Sequence, residues 1–161
     1  MSSIKWRRPG EPLRREDISK IEEIFGICFP EDYVKCVQQY HGASVIPYRV
    51  DLNGNVRVFA NLLSFSNDSI DNIVQAYNNN KDRLMDGIVP FACDPAGNYF
   101  CFDFRKNKDK PSIVFWNHEI AVNADDYYPE YLKRFSLEEA QERAMEKVCN
   151  SFSKLLKMLH D

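Results

Sequence analysis

The segment that most restricts the fold is residues 88–105, IVPFACDPAGNYFCFDFR, in which two apolar runs flank a short polar turn. Asp94-Pro95 followed by Gly97 is typical of a type I turn, with the glycine able to adopt a positive φ in a bulge. The segment therefore predicts a β-hairpin. Its register would place Asp94 opposite Asn98, Cys93 opposite Tyr99, and Phe91 opposite Cys101.

Two cysteines in this hairpin raise the question of whether it is reactive. Cys93 and Cys101 would be diagonal neighbours on one face, with Cα atoms roughly 7–8 Å apart, whereas a disulfide prefers about 5.5–6 Å. We expect both thiols to be reduced and to pack as small apolar side chains. Because the three histidines stand alone and no C-x-x-C occurs, we expect no metal site.

Two aspartates in the same segment have different expected roles. Asp94 begins the turn, where its carboxylate can accept hydrogen bonds from backbone N–H groups ahead of it, and we favour that role over catalysis. Asp103 lies on the alternate face of the second strand. It is expected to make a structural hydrogen bond or ion pair, or else to act at a functional surface.

Helical patterns precede this hairpin. Residues 16–27 place Ile18, Ile21 and Ile24-Phe25 at helical spacing, and Gly26 stands where a C-terminal cap belongs. Residues 28–42 predict a second helix, with Pro30 in its first turn. Asn53-Gly54 predicts a hairpin, and residues 61–65 would extend its second strand. A third helix, capped by Asn67 or Ser69, would end in an asparagine run.

The remaining segments complete the predicted fold. A strand is expected over residues 111–122, and Ser136 with Glu139 forms a capping box. The tail would be one helix from Ser136 to His160, or two helices broken near Asn150-Ser151. The pattern predicts an α+β fold, with a central, mostly antiparallel sheet flanked by N- and C-terminal helices, in a single domain over residues 1–161.

Composition and charge exclude several classes of protein. With 161 residues, 44% of them hydrophobic, the chain can bury one core. The net charge of −3 disfavours direct nucleic-acid binding, and the absence of a long apolar run disfavours a membrane span. Five cysteines without a signal peptide favour the cytoplasm. Residues 1–12 form a basic N-terminal arm, whose Trp6 is expected to pack against the core.

Catalytic motifs are absent from the sequence. It contains no G-x-S-x-G, P-loop or dinucleotide-binding motif. His118-Glu119 could act as an acid/base pair only beside a nucleophile, and none is identifiable, so both are expected at the edge of a strand. We predict no catalytic residue and no cofactor. A small hydrolase would need a pocket in which Asp103, His118 or a cysteine has a perturbed pKa.

Several segments resemble the SUKH superfamily, the family of Smi/Knr cell-wall regulators and of many bacterial immunity proteins. The resemblance rests on the corner GICFPEDY with the helix end YHG, on PFACDPAGNYFCFDF, on PSIVFWNHE and on the tail NSFSKLLKMLHD. It implies an α+β fold and a role in binding rather than catalysis. Positions that match the family pattern, and that we expect to define the fold, are Trp6, Gly26, Pro30, Asp32, Tyr33, Gly42, Pro90, Asp94, Gly97, Asn98, Asp103, Trp116 and Phe152.

The chain departs from the family pattern at two places. Gly42-Ala43 replaces a pair of glycines, and the region from Val122 to Arg143 is long for the family. Residues 122–136 are therefore a possible family-atypical insert and a candidate for contact with a specific partner.

The resemblance implies an immunity protein that neutralises a cognate toxin, of the nuclease type, by direct contact. Residues 111–132 contain acids but no lysine or arginine, which would complement a basic nuclease groove. The predicted partner-binding residues are Glu119, Asp125, Asp126, Tyr127, Tyr128 and Glu130. The alternatives are a solvated loop at this position and a Smi/Knr-like scaffold domain without a toxin partner. The protein would be a monomer or a weak homodimer.

Overall fold

The computed structural model describes residues 4–121 and 136–161 of the chain. The helices of this part are α1 (Arg15–Phe25), α2 (Glu31–Tyr40), α3 (Ile73–Asn80), α4 (Leu137–Glu142) and α5 (Phe152–Met158). The strands are β1 (Lys5–Arg7), β2 (Ser44–Ile46), β3 (Arg49–Leu52), β4 (Asn55–Val58), β5 (Asn61–Leu62), β6 (Ile88–Cys93), β7 (Tyr99–Asp103), β8 (Ser112–Trp116) and β9 (Met145–Cys149).

Seven of these strands form one sheet in the order β1-β2-β5-β6-β7-β8-β9, and β3 pairs with β4 in a separate hairpin. Every pairing between named strands is antiparallel. The predicted α+β fold with a mostly antiparallel sheet is therefore confirmed, and so is the hairpin at Asn53-Gly54.

The central strands are buried on both faces of the sheet. Phe100 and Phe102 of β7 join the larger core, where Phe102 packs against Tyr33 of α2 with ring centroids 5.0 Å apart. Cys101 of the same strand points into a smaller core with Val114 and Trp116. Because successive side chains of a strand alternate between faces, β7 contributes to both cores.

The corner between α1 and α2 follows the predicted pattern. Gly26 adopts a left-handed conformation with φ 69°, and its N–H donates to the carbonyl of Glu22 at 2.8 Å. Pro30 is the residue before α2 and fixes an extended backbone there. Ile24, in contrast, is 60% exposed, so the expected apolar stripe of α1 is narrower than predicted.

The hairpin register differs from the prediction at Phe91. Cys93 lies opposite Tyr99 as predicted, but a register shift between Pro90 and Ala92 places Cys101 opposite Pro90. Proline has no N–H to donate to a ladder and is found in sheets at edges or bulges. The bulge beside Pro90 interrupts the regular ladder, so the missing N–H of proline is tolerated there.

The prediction for the tail is wrong between Met145 and Cys149. These residues form β9, the edge strand next to β8, instead of continuing a helix. The stabilisation from pairing with the edge of β8 outweighs the local preference for a helix that the spacing of Ala144 and Val148 indicated. The predicted break near Asn150-Ser151 is correct, since the Ser151 hydroxyl caps α5 by accepting from the N–H of Lys154 at 3.1 Å.

Four further local features of the structure differ from the sequence prediction or agree with it. Residues 61 and 62 pair with β6 and so do not extend the β3–β4 hairpin. Asn72, and not Asn67 or Ser69, caps α3. The strand predicted over residues 111–122 ends at Trp116. Trp6 lies in β1 and stacks on Tyr40 at a centroid distance of 5.6 Å, which confirms that it packs against the core.

Candidate partner-binding surface

The acidic region of the sequence begins in a loop, residues 117–121, that leaves β8. The N–H of Asn117 donates to the carbonyl of Ala144 at 2.8 Å, and its side-chain oxygen accepts from the N–H of Glu119 at 2.9 Å. These bonds fix the backbone while Glu119 and Ile120 remain exposed, Ile120 by 44%. The loop therefore presents an acid beside an apolar side chain at the surface.

The turn of the β6–β7 hairpin supports this loop. Oδ1 of Asp94 accepts from the N–H groups of Ala96 at 2.9 Å and Asn98 at 2.8 Å, as predicted for a turn residue. The Asn98 side chain donates to Oδ2 of Asp94 at 2.8 Å and accepts from the N–H of His118 at 3.0 Å. Asn98 thus joins the turn to the loop that carries Glu119.

The predicted partner-binding residues are only partly placed. Glu119 is exposed at the surface described above. Asp125, Asp126, Tyr127, Tyr128 and Glu130 lie outside the residues that the structure describes. His118 and Glu119 follow the end of β8 in a turn and are not on a strand edge as expected.

A second surface feature is an apolar groove beside the α1–α2 corner. The groove has a volume of about 820 Å³ and is lined by Phe25, Ile27, Cys28 and Phe104, with Lys108 and Asp109 at its rim. Its dimensions are those of a binding cleft. Gly26, Ile27 and Cys28 of the family-like motif thus form one wall of an open groove.

Two acidic residues at or beside the α1–α2 corner hold the fold together. Oδ2 of Asp32 accepts from the N–H of Ser153 at 2.9 Å and from its hydroxyl at 2.8 Å, which ties α2 to α5. Glu22 accepts from the N–H of Phe29 at 2.7 Å and from Arg15 at 2.8 Å. The remaining family-like positions also lie within the fold, with Gly42 and Gly97 at positive φ and with Tyr33, Pro90, Trp116 and Phe152 buried.

Asp103 is part of an ion-pair cluster with Arg105 and Glu142. The guanidinium of Arg105 donates to both oxygens of Asp103, at 3.0 and 2.8 Å, and also to Glu142 of α4. Burial raises the pKa of Asp103, but the hydrogen bonds and charge of Arg105 outweigh burial and lower that pKa overall. This is the structural ion pair that we expected.

The cysteines are all free thiols, and most of them are shielded. Burial raises the pKa of Cys36 and of Cys93 to about 12, and it raises the pKa of Cys101 and Cys149 as well. Cys28, in the apolar groove, is exposed. A raised pKa keeps a thiol protonated and makes it a poor nucleophile at neutral pH.

Sequence reasoning missed a cationic pocket on the face of β7, β8 and β9 that also carries the smaller core. Its lining residues include Arg105, Lys106 and Lys110 from the β7–β8 loop and Lys147 from β9, around a volume of about 420 Å³. The run RKNKDK at residues 105–110 was a visible signal in the sequence. Its meeting with Lys147 depends on β9, which the sequence did not predict.

Within residues 4–121 and 136–161, no group of three or more His, Cys, Asp or Glu side chains could hold a metal ion. No helix in the same ranges is long and apolar enough to cross a membrane.

Comparison with known proteins identifies the family. No curated protein matches the chain. The family model SUKH_6, described as SMI1-KNR4 cell-wall, matches residues 15–156, which extend from the start of α1 into α5 and include both the corner and the hairpin. The resemblance of the motifs and the match of the family model agree, and the chain belongs to the SUKH_6 family of SMI1-KNR4 domains.

Proposed function

We propose that this chain is a non-catalytic binding protein, an immunity protein that neutralises a cognate toxin of the nuclease type by direct contact. Family membership supports a Smi/Knr-type interaction domain. The observation that carries the proposal is the exposed pair Glu119 and Ile120, held on a fixed loop at the start of the acidic region. An acidic side chain beside an exposed apolar side chain is complementary to a partner that has a basic groove.

The proposed mechanism is occlusion of the toxin's active site or substrate groove. A nuclease binds phosphates through basic side chains, so an acidic surface competes for the same groups. Charge complementarity would accelerate the encounter, and tyrosines at the centre of the interface would slow dissociation. Glu119, Asp125, Asp126, Tyr127, Tyr128 and Glu130 are the residues that we propose for this contact.

Co-purification with the product of the adjacent gene tests the proposal. We expect a stoichiometric complex that weakens as salt rises, because salt screens exposed charges. The triple variant Asp125→Asn, Asp126→Asn, Glu130→Gln should lose affinity by about tenfold or more. A matched control, Glu23→Gln, Asp68→Asn, Asp82→Asn, removes the same charge from exposed positions elsewhere. If both triple variants bind as tightly as the unaltered chain, the assigned contact residues are wrong.

A scaffold domain without a toxin partner is the second candidate, and the apolar groove at the α1–α2 corner favours it. The groove is open and partly apolar, and Ile24 is exposed on the same helix that forms one wall. Apolar exposure of this kind marks protein contacts. A neighbouring gene with no toxin-like product, together with no complex in the co-purification, would favour this function over immunity.

A further inference from the structure

The cationic pocket between the β7–β8 loop and β9 is the feature that the proposed function does not use. Its floor is the face of β8 and β9 that carries the smaller core, where Val114 lies opposite Lys147. Lys106, Asn107 and Lys110 of the β7–β8 loop form one wall, and Met145 contributes an apolar surface. At about 420 Å³ the pocket has the size of a small-molecule site.

Both carboxylates in the pocket form ion pairs with Arg105, whose single positive charge offsets one of their two negative charges. Asp103 is bound by two nitrogens of that guanidinium, and Glu142 forms an ion pair with it. Arg105 therefore acts as a fixed internal bridge. Its pKa is raised by the hydrogen bonds that it donates to Asp103 and then to Glu142, so it stays charged.

The lysines of the pocket lack a direct ion pair of this kind with any described residue, although the charge of Lys106 helps to lower the pKa of Asp103. Within the described parts of the chain, Lys106, Lys110 and Lys147 are in no ion pair, and all three are exposed. Asn107 adds a donor. Its side-chain oxygen accepts from the N–H groups of Asp109 at 2.9 Å and Lys110 at 3.0 Å, so its amide NH₂ group remains available.

We propose that this pocket binds a small phosphate-bearing anion. Three lysines, Asn107 and Ser112 line it, and their ammonium, amide and hydroxyl groups can all donate hydrogen bonds. A phosphate carries close to two negative charges and three acceptor oxygens, whereas a carboxylate carries one charge and two oxygens. Lysine binds phosphate as a point charge and does not need the planar geometry that arginine provides.

The pocket fits a compact anion better than a nucleic-acid strand. A strand needs a groove that follows the backbone, with aromatic side chains on which bases stack. Among the residues that the structure describes, no aromatic side chain lines this pocket, and its apolar wall is formed by Val114 and Met145. Val114 and Met145 can contact the small apolar part of a phosphorylated metabolite.

Calorimetric titration of the full chain with inorganic pyrophosphate tests this proposal. We expect saturable one-to-one binding at concentrations below about 10 mM, weakened by salt. The variant Lys106→Gln, Lys110→Gln, Lys147→Gln should bind at least about tenfold more weakly. The control variant Lys20→Gln, Lys35→Gln, Lys108→Gln removes the same charge, including one lysine of the same loop, and should bind like the unaltered chain.

Three outcomes would overturn the proposal. The first is no saturable binding of pyrophosphate by the unaltered chain. The second is an equal loss of pyrophosphate affinity in both triple variants, which would mean that the overall charge of the protein, and not the pocket, attracts the anion. The third is a tetraglutamate peptide that binds as tightly as pyrophosphate, which would assign the pocket to carboxylates. Thermal unfolding of each variant, expected within about 2 °C of the parent, separates lost binding from lost folding.

Discussion

Gly10 lies directly on the imidazole ring of His41. The N–H of Gly10 donates to the carbonyl of His41 at 2.8 Å, and a Cβ atom added to Gly10 would stand 2.5 Å from Cε1 of the ring. The ring cannot move away. Its Nδ1 accepts from the N–H of Phe65 at 3.0 Å, so Nε2 carries the proton and donates to the carbonyl of Glu11 at 2.6 Å.

Replacing Gly10 should therefore destabilise the protein through this contact. We expect Gly10→Ala to reduce the free energy of unfolding by about 1–3 kcal/mol, because a fixed ring must shift to admit the methyl group. Urea denaturation followed by circular dichroism measures the change. Glu11→Ala, which keeps the carbonyl and changes only an exposed side chain, is the control and should have little effect. Equal stability of Gly10→Ala and the parent would contradict the close packing.

The hydroxyl group of Tyr33 is buried without a partner among the residues that the structure describes. Burial, with a smaller contribution from Cys36, raises the pKa of Tyr33, so the group stays neutral in the core. Tyr33→Phe should be neutral or stabilising by up to about 1 kcal/mol, because it removes an unsatisfied polar group. Tyr33→Ala should cost about 3–5 kcal/mol.

Thermal or urea unfolding of the two Tyr33 variants distinguishes packing from hydrogen bonding. Ring contacts with Phe29, Phe91, Phe102 and Phe152 are retained in the phenylalanine variant and lost in the alanine variant. A loss of more than about 1 kcal/mol in Tyr33→Phe would show that the hydroxyl makes a stabilising contact.

The Asp103–Arg105 pair predicts a loss of stability in acid. The pKa of Asp103 is lower in the folded chain than in the unfolded chain. The contribution of the ionised carboxylate to the free energy of unfolding is therefore fully present above the ordinary carboxyl pKa of about 4. It is lost as pH falls through the lower, folded value. Asp103→Asn should reduce stability by about 2 kcal/mol at neutral pH, and the difference from the parent should shrink below pH about 4.

Glu142→Gln is the matched control for that experiment. The Glu142 side chain is 53% exposed, whereas that of Asp103 is 8% exposed, so the Glu142 pair is screened by water. We expect a change below about 1 kcal/mol. A pH-independent difference between the parent and Asp103→Asn would exclude ionisation of this carboxylate as the cause.

The thiols should differ in their reaction with Ellman's reagent. With the pKa of Cys36 and Cys93 raised to about 12, only about one molecule in 10⁴ carries either thiolate at pH 8. Cys28 is the one exposed cysteine, so we expect a single fast-reacting thiol in the native protein. Cys28→Ser should abolish the fast phase, and denaturation should release four slow thiols. More than one fast thiol in the native protein would contradict the partial or full shielding of the other four.

Local signals account for the parts of the fold that the sequence predicted. Gly26 ends a helix and Asp94 begins a turn because their own backbone geometry and nearest neighbours determine the outcome. β9 could not be predicted in the same way, since its residues have a helical pattern and become a strand only beside β8. The bulge at Pro90 likewise depends on pairing across the sheet.

The candidate surfaces also divide into one that local sequence predicts and one that depends on the folded sheet. The acidity that begins at Glu119 is a property of consecutive residues, and the sequence revealed it. The cationic pocket combines Lys106 with Lys147, which come together only through the sheet. The sequence contained the lysines but not their convergence.

The hydrogen bonds between Asp32 and Ser153 connect residues that are 121 positions apart in the chain. Closing so long a loop costs more chain entropy than forming a local turn, so we expect α5 to dock on α2 late in folding. Loss of this contact should therefore accelerate unfolding and leave the folding rate nearly unchanged. A φ-value near zero for Asp32→Asn is the expected signature, and a value near one would place this contact in the folding nucleus. The lifetime of the native state, more than the speed with which it forms, would then depend on this junction.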